Sequence, residues 1–493
     1  MTMRTAALLA VLPLLAPAAL YGQASAPDLD AVARRVMTQE GVVGASVLVA
    51  RDGRVILHKG YGVADLGLDA PTKDESVYHI VGPMMPFTGV AVLQQVERGT
   101  LSLDDDVAKF VPEFPMQGHR VTVRELLNHT SGIVDYHYLG DAIEGTSRQP
   151  KALDEVMALY AGKQFVHDPG EKWDWSISGF QLLVTIVERV SGQSFPDYVR
   201  QHILEPAGVM STTYCDDFTL TKGLSHGYRT FENGYVAAHE NDMAYNTDLR
   251  FCSTVGDLYR LWTAIGARHL LSADSFRRMT ADAGAVPMSA DDPRAKYGLA
   301  LMINHEEDHR RVGQHGSLLG YSGSLYEFPD DHLTIVVLTN TEGQNAYAMT
   351  RALARAALGL PALPATPRVL PPALADEPVP AAERAALDGT FVLKLDRLSP
   401  GLHDSFTQYR RTYRVFDENG RLMLEPLGEG AERLLKQPDG SFAVRSAPAT
   451  RVTFVVAHGH AAVMRMDSKG LGVPLSGDRV GNGDARTFDA RPR

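Results

Sequence analysis

The sequence has 493 residues, 44% hydrophobic and 22% charged, a composition that excludes a disordered chain and leaves room for two or three packed domains. Its net charge of -11, with no Lys/Arg-rich run able to neutralise phosphates, excludes nucleic acid as the expected partner. Two cysteines, Cys215 and Cys252, make one disulfide possible in an oxidising compartment, but spacing alone does not pair them.

In chain order, Arg4, an apolar run from Ala6 to Leu20 and the small residues of Gly22-Gln23-Ala24 and Ala24-Ser25-Ala26 follow the plan of a secretory signal peptide over residues 1–26. The protein is therefore expected to be exported, to the periplasm or beyond. The apolar run is short for a bilayer, and no later segment is long and apolar enough to span one, so no membrane span is expected after cleavage. No cysteine near the cleavage site suggests a lipid anchor.

Leu29, Val32, Ala33, Val36 and Met37 recur at helical spacing, and Gly41 stops that helix before two strands, 43–50 and 54–59, around Asp52-Gly53. Residues 78–90 open a nearly all-apolar helix running to about Glu97 and closed by Gly99. Phe87, Val90, Ala91, Leu93 and Val96 leave it almost no polar face, so it is predicted to be buried. Pro83 and Pro86 fit only its first turn. Residues 105–290 carry mostly helical signals. Downstream, 322–328 and 333–339 form a hairpin around Pro329-Asp330-Asp331, followed by an alanine-rich helix over 345–358. First and last segments should share one antiparallel sheet, with the terminal helices on one face and the helix after Gly82 on the other, an α/β (α+β) architecture with an inserted helical region.

His305-Glu306-Glu307-Asp308-His309 matches the zinc-protease pattern literally, but 299–304 and 310–312 read as strands, so the pentapeptide is expected at a polar hairpin tip and no metal is predicted. Seven prolines between Leu360 and Pro380 mark a stiff linker over 360–382 between domains 27–359 and 383–493. Beyond it, 387–395, 413–416, 421–424, 441–444, 452–456 and 461–466 read as strands of a small β-domain in which no chemistry is evident.

From Ile80 to Phe114, with Val92-Leu93-Gln94-Gln95-Val96-Glu97-Arg98-Gly99-Thr100-Leu101-Ser102-Leu103-Asp104-Asp105-Asp106-Val107 as the longest part, the sequence resembles the serine β-lactamase-related proteins. That family contains class C β-lactamases, penicillin-binding DD-peptidases and esterase relatives. Thr122-Val123-Arg124-Glu125-Leu126-Leu127-Asn128-His129-Thr130-Ser131-Gly132-Ile133 and Ser253-Thr254-Val255-Gly256-Asp257-Leu258 carry the same resemblance, which covers about residues 28–360. It implies the family's two-part fold, and the C-terminal β-domain looks like the barrel that often follows it. The family's helix begins Ser-x-x-Lys, nucleophile and base partner; here Gly82 and Met85 stand there. The family's Tyr-x-Asn aligns with Trp175-Ser176-Ile177, and its Lys-Thr-Gly or His-x-Gly with His315-Gly316-Ser317. The resemblance thus leaves no residue assigned as catalytic, His315 being the one retained type. His129 reads as a buried, hydrogen-bonded residue.

Gly82 has no nucleophile and Met85 no basic group, so the leading expectation is an exported pseudoenzyme. An enlarged, more apolar cleft lined by Gly82, Met85, Trp175, Ile177, His315, Gly316, Ser317 and Leu318 would hold a peptidoglycan fragment, lipid or small aromatic molecule without cofactor. Leu318 N–H remains as an oxyanion donor. The rival expectation is an active esterase, peptidase or β-lactamase-type hydrolase that reroutes attack through Ser176, Ser178 or Ser317 with His315 as base. A third places the working surface on the C-terminal β-domain.

Overall fold

The computed structural model describes residues 28–136, 153–215, 220–231, 234–237, 250–281, 285–289, 292–318, 320–364, 375–394, 412–426, 432–444, 450–467 and 475–481. The expected signal peptide and the middle of the proline-rich linker lie outside them.

Asp28 caps helix α1 (Leu29–Glu40) by accepting from Ala31 N at 3.0 Å, and Gly41 closes it in the left-handed conformation. The hairpin follows as β1 (Gly44–Arg51) and β2 (Arg54–Asp65). Helix α2 is Met85–Glu97 and helix α3 is Ile177–Ser191. Four strands, β3 (Met302–Glu306), β4 (His309–Leu318), β5 (Tyr321–Phe328) and β6 (Leu333–Thr339), lead into helix α4 (Asn345–Leu358). The nine-stranded antiparallel sheet runs Ala70–Pro71, β2, β1, β6, β5, β4, β3, Lys296–Tyr297, Val286–Pro287. First and last segments do meet: Val47 faces Val337 across β1 and β6.

Period-2 alternation divides these central strands between two cores. Val47, Val49, Ile335 and Val337 pack against α1 and α4, while Leu48, Ala50, Val336 and Leu338 join α2 and the helical region. Helix α2 is buried from Met85 to Gln95, as its composition predicts; of its two buried amides, Gln94 donates to His202 O and Leu270 O and accepts from the Tyr198 hydroxyl, and Gln95 Oε1 accepts from the Thr100 hydroxyl at 2.8 Å. Its start differs from expectation. Gly82 has φ +85°, which no α-helix accommodates, so residues 82–85 form a turn closed by Met85 N donating to Gly82 O at 2.9 Å. Pro83 therefore precedes the helix, and only Pro86 sits in its first turn.

The inserted region is not wholly helical. Tyr78–His79, Phe251–Ser253 and Thr213–Tyr214 form a small antiparallel sheet, and Cys215 and Cys252 are joined there by a disulfide. Thr122 with Glu125 forms a capping box for Val123–Leu127, and Thr254 caps Val255–Gly266, which accounts for two of the quoted motifs as helix starts. The C-terminal strands close an eight-stranded barrel from Gly389–Lys394 to Leu475–Gly481. Glu432–Lys436 and Leu475–Gly481 are additional to the six expected strands, and Leu387 ends a helix, Ala381–Leu387. No helix among the described residues is long and apolar enough to cross a membrane.

The zinc-like pentapeptide is a hairpin tip. β3 ends at Glu306 and β4 begins at His309, whose Nδ1 lies 2.9 Å from the Asp331 carboxylate, while His305 faces Arg310. Glu306, fully buried, turns to α4 and accepts from Arg351 Nε and Arg355 Nη1, each at 2.7 Å, with Arg311 Nη1 at 3.4 Å. Burial pushes its carboxyl up, but Arg351 and Arg355 outweigh burial and hold it below the ordinary 4.5. Glu306→Ala is expected to cost about 3–5 kcal/mol in denaturant unfolding, because it strands buried guanidinium groups. Since the folded pKa lies below the unfolded one, the Glu306 contribution is complete above pH 4.5 and lost as pH falls through the folded value. The parent's acid destabilisation should therefore exceed that of Glu306→Gln.

Candidate functional site

Three elements meet at the positions singled out in the sequence: the turn before α2, the entry to α3, and β4. At the turn, Gly82 lies against the β4 backbone. A Cβ built on Gly82 lands 2.6 Å from His315 O and closer still to His315 C and Gly316 N. A Cβ on Gly316 would in turn stand 3.0 Å from both Gly82 N and Gly82 Cα. Backbone thus fills the space a side chain at residue 82 would need, so the glycine adds no room at this point to the cleft expected there. Met85 is wholly buried in the α2 core.

At the entry to α3, Ser176 caps the helix by accepting from Gly179 N, and the buried Ile177 donates its N–H to Asp135 Oδ2 at 3.0 Å. Trp175 is half-buried and stacks on His129, ring centroids 4.3 Å apart, with Phe180 stacked at 4.9 Å and Tyr297 edge-on at 4.7 Å. Burial pushes the imidazole of His129 down to about 3, so it is neutral. Its Nδ1 accepts from Ser176 N at 3.2 Å, which puts the proton on Nε2, a buried atom without a hydrogen-bond partner among the described residues. His129 is thus the buried, hydrogen-bonded residue expected, serving as filler between aromatic rings.

On β4, alternation decides which side chains reach this place. Val312 belongs to the α2 core and Gly316 touches Gly82, so Gln314 shares their face, where its Nε2 donates to Tyr297 OH at 2.7 Å. Arg311 and His315 face the opposite way, to α4. The His315 ring stacks on Tyr347 at 4.0 Å, its Nδ1 lies 2.8 Å from Tyr326 OH, and the Arg311 guanidinium covers both tyrosines. Burial, then the Arg311 charge, hold His315 down to about 4, neutral at physiological pH. The expectation that the His315 side chain lines the α2 side is therefore corrected: a one-residue slip in a strand exchanges faces. The alternative register, Gln314-His315-Gly316, keeps the family's third-position glycine and puts a neutral amide where the basic residue stands. That glycine was the signal in the sequence for Gln314; nothing there pointed to Tyr297.

The serines offered as substitute nucleophiles are engaged elsewhere. Ser178 Oγ accepts from Tyr136 N at 2.9 Å, and Ser317 Oγ donates to Tyr321 O at 3.1 Å and accepts from Gly343 N at 2.6 Å. The His315 ring nitrogen that is engaged faces a tyrosine rather than a serine. Gly316, Ser317 and Leu318 are half-buried, Leu318 resting on the α2 core. The geometry brings together Gly82, Gly316 and Gln314 on one side of β4, beside the Tyr297–His129–Trp175 stack.

A family model for Beta-lactamase matches residues 29–360. The chain is 27% identical over 320 residues to penicillin-binding protein 4* of Bacillus subtilis strain 168, covering 61% of this chain and 69% of that one. It is 26% identical over 326 residues to protein flp of Staphylococcus aureus strain MW2, covering 65% of this chain and 64% of flp, so it spans slightly less than two thirds of that relative. The octameric penicillin-binding protein homologue from Pyrococcus abyssi superposes with a TM-score of 0.60 at 22% identity, over 91% of this chain and 99% of that one, a likeness of fold that includes a C-terminal part. With the matched region spanning both faces of the sheet and the helical region, the chain belongs to the Beta-lactamase family, with a penicillin-binding-protein-like fold.

Proposed function

We propose that this protein is an exported, non-hydrolytic member of the family that holds a peptidoglycan-derived or similar small ligand without cleaving it. The observation that carries the reading is the contact of Gly82 with the His315–Gly316 backbone, which leaves no nucleophile and no volume for one. Removing the serine alone from a serine hydrolase lowers turnover by roughly a millionfold, and removing its partners adds little. Here Met85, Trp175, Ile177 and Gln314 replace the partners too, all with uncharged groups. What stays accessible is a rim of Trp175, Gly316, Ser317 and Leu318, an aromatic surface beside backbone polar groups suited to a sugar or a short peptide. The export half of the proposal rests on residues 1–26.

Intact-protein mass after incubation with a fluorophosphonate and a reactive β-lactam is expected to show no adduct, and a chromogenic ester no turnover. Gly82→Ser/Met85→Lys should remain inactive, since the serine has nowhere to sit. A stoichiometric adduct on the parent would overturn the reading and identify the substitute nucleophile by peptide mapping. Titration of soluble muropeptides, followed by tryptophan fluorescence and calorimetry, should give saturable binding that Trp175→Ala weakens about tenfold; binding unaffected by that change would move the ligand off the rim. Protein recovered from the producing cells should begin just after Ala24 or Ala26, and a mature protein that still carries the apolar run would contradict export by this signal.

A further inference from the structure

Apart from the family's cleft, the described residues contain one group of three metal-ligating side chains with converging atoms: His79, Cys215 and Cys252. The small sheet brings them together. His79 pairs with Cys252 across one pair of strands, Thr213 pairs with Cys252 across the other, and Cys215 follows two residues later. All three are buried, and their ligand atoms lie within 4.8 Å of one another. His79 Nδ1 is 3.5 Å from Cys252 Sγ, and the Cα atoms of the cysteines are 5.7 Å apart.

We propose that the reduced protein binds one thiophilic divalent ion, Zn²⁺ or Cd²⁺, through His79 Nδ1, Cys215 Sγ and Cys252 Sγ, as an alternative to the disulfide. Tetrahedral zinc with metal–sulfur bonds near 2.3 Å and metal–nitrogen bonds near 2.0–2.1 Å has a sulfur–nitrogen edge of about 3.5 Å and a sulfur–sulfur edge of about 3.8 Å. The Cys252–His79 edge already has this length, and reduction lets the sulfurs part to reach the other. Thr221 Oγ1, 3.5 Å from Cys215 Sγ, offers an oxygen for the fourth position. Two thiolates, a neutral imidazole and a divalent cation sum to zero charge, which suits a buried place where an unpaired ion would be costly.

The steps balance. An external phosphine reductant transfers two electrons to the disulfide and takes up a water oxygen, and the two protons of that water go to the sulfurs. The metal then displaces both protons to solvent. The disulfide ties the segment after Thr213–Tyr214 to Phe251–Ser253, the strand that pairs with Tyr78–His79, and the metal would add His79 itself, three residues before Gly82.

The test uses the full chain, reduced with phosphine under inert gas and titrated with Cd²⁺. With only two cysteines in the sequence, sulfur-to-cadmium charge-transfer absorption reports this site alone. Expected are one Cd²⁺ per chain, loss of the band in Cys215→Ser and in Cys252→Ser, and affinity lower by about 100-fold in His79→Ala. Circular dichroism of the same samples follows folding. Absence of uptake by the reduced chain overturns the proposal. So does uptake unchanged by His79→Ala, the result expected if two thiols of an opened chain merely chelate the ion.

Discussion

One backbone contact governs the centre of this molecule: the α-carbon of Gly82 pressed on the amide linking His315 to Gly316. The left-handed φ of +85° at Gly82 turns the chain there, delays the start of α2 to Met85, and leaves the turn flat enough for β4 to lie on it. Gly316 completes the seam from the strand side. A side chain at residue 82 would have to share space that the β4 main chain occupies. Met85 follows from the same arrangement, since a buried first turn facing an apolar core favours a thioether over an amine that would need a counter-charge.

Strand β4 separates a buried charge cluster from the side on which Gly82 and Gln314 lie. On the α4 side, Glu306 is surrounded by Arg311, Arg351 and Arg355, and the Arg311 guanidinium rests over Tyr326 and Tyr347, which hold His315. On the other side Gln314, Tyr297, Trp175 and His129 form a neutral chain of stacked rings and hydrogen bonds. On that side burial holds His129 as a neutral imidazole and pushes the Tyr297 hydroxyl far up, while the Asp135 carboxylate accepts from Ile177 N at 3.0 Å.

Much of the frame was legible from residue pattern alone. Asp52-Gly53, the Pro329-Asp330-Asp331 turn, the Gly41 stop and the alanine-rich run over 345–358 each have a local cause, and the central strands alternate so regularly that both cores follow from them. The failures have equally specific causes. Assigning His315 to the cleft needed a register correct to one residue in a segment with glycine at 313 and 316, where little apolar alternation fixes the face. Glu432–Lys436 alternates poorly, and Leu475–Gly481 contains two glycines, so closure of the barrel was invisible until the ends were seen to pair. The disulfide depends on strands from distant parts of the chain meeting at Cys252, which spacing does not encode. That Gly82 and Met85 stand at the Ser-x-x-Lys positions could be read directly; that the β4 main chain lies where a side chain on residue 82 would stand depended on distances between backbones.

The most direct measurement is the unfolding free energy of Gly82→Ala beside the parent, in denaturant at neutral pH. A closed seam predicts a loss of about 1–3 kcal/mol or more, because a single methyl meets main-chain atoms and the left-handed φ penalises any side chain. Stability equal to or above that of the parent would mean that the gap is open and able to hold a side chain, contradicting the account at its centre.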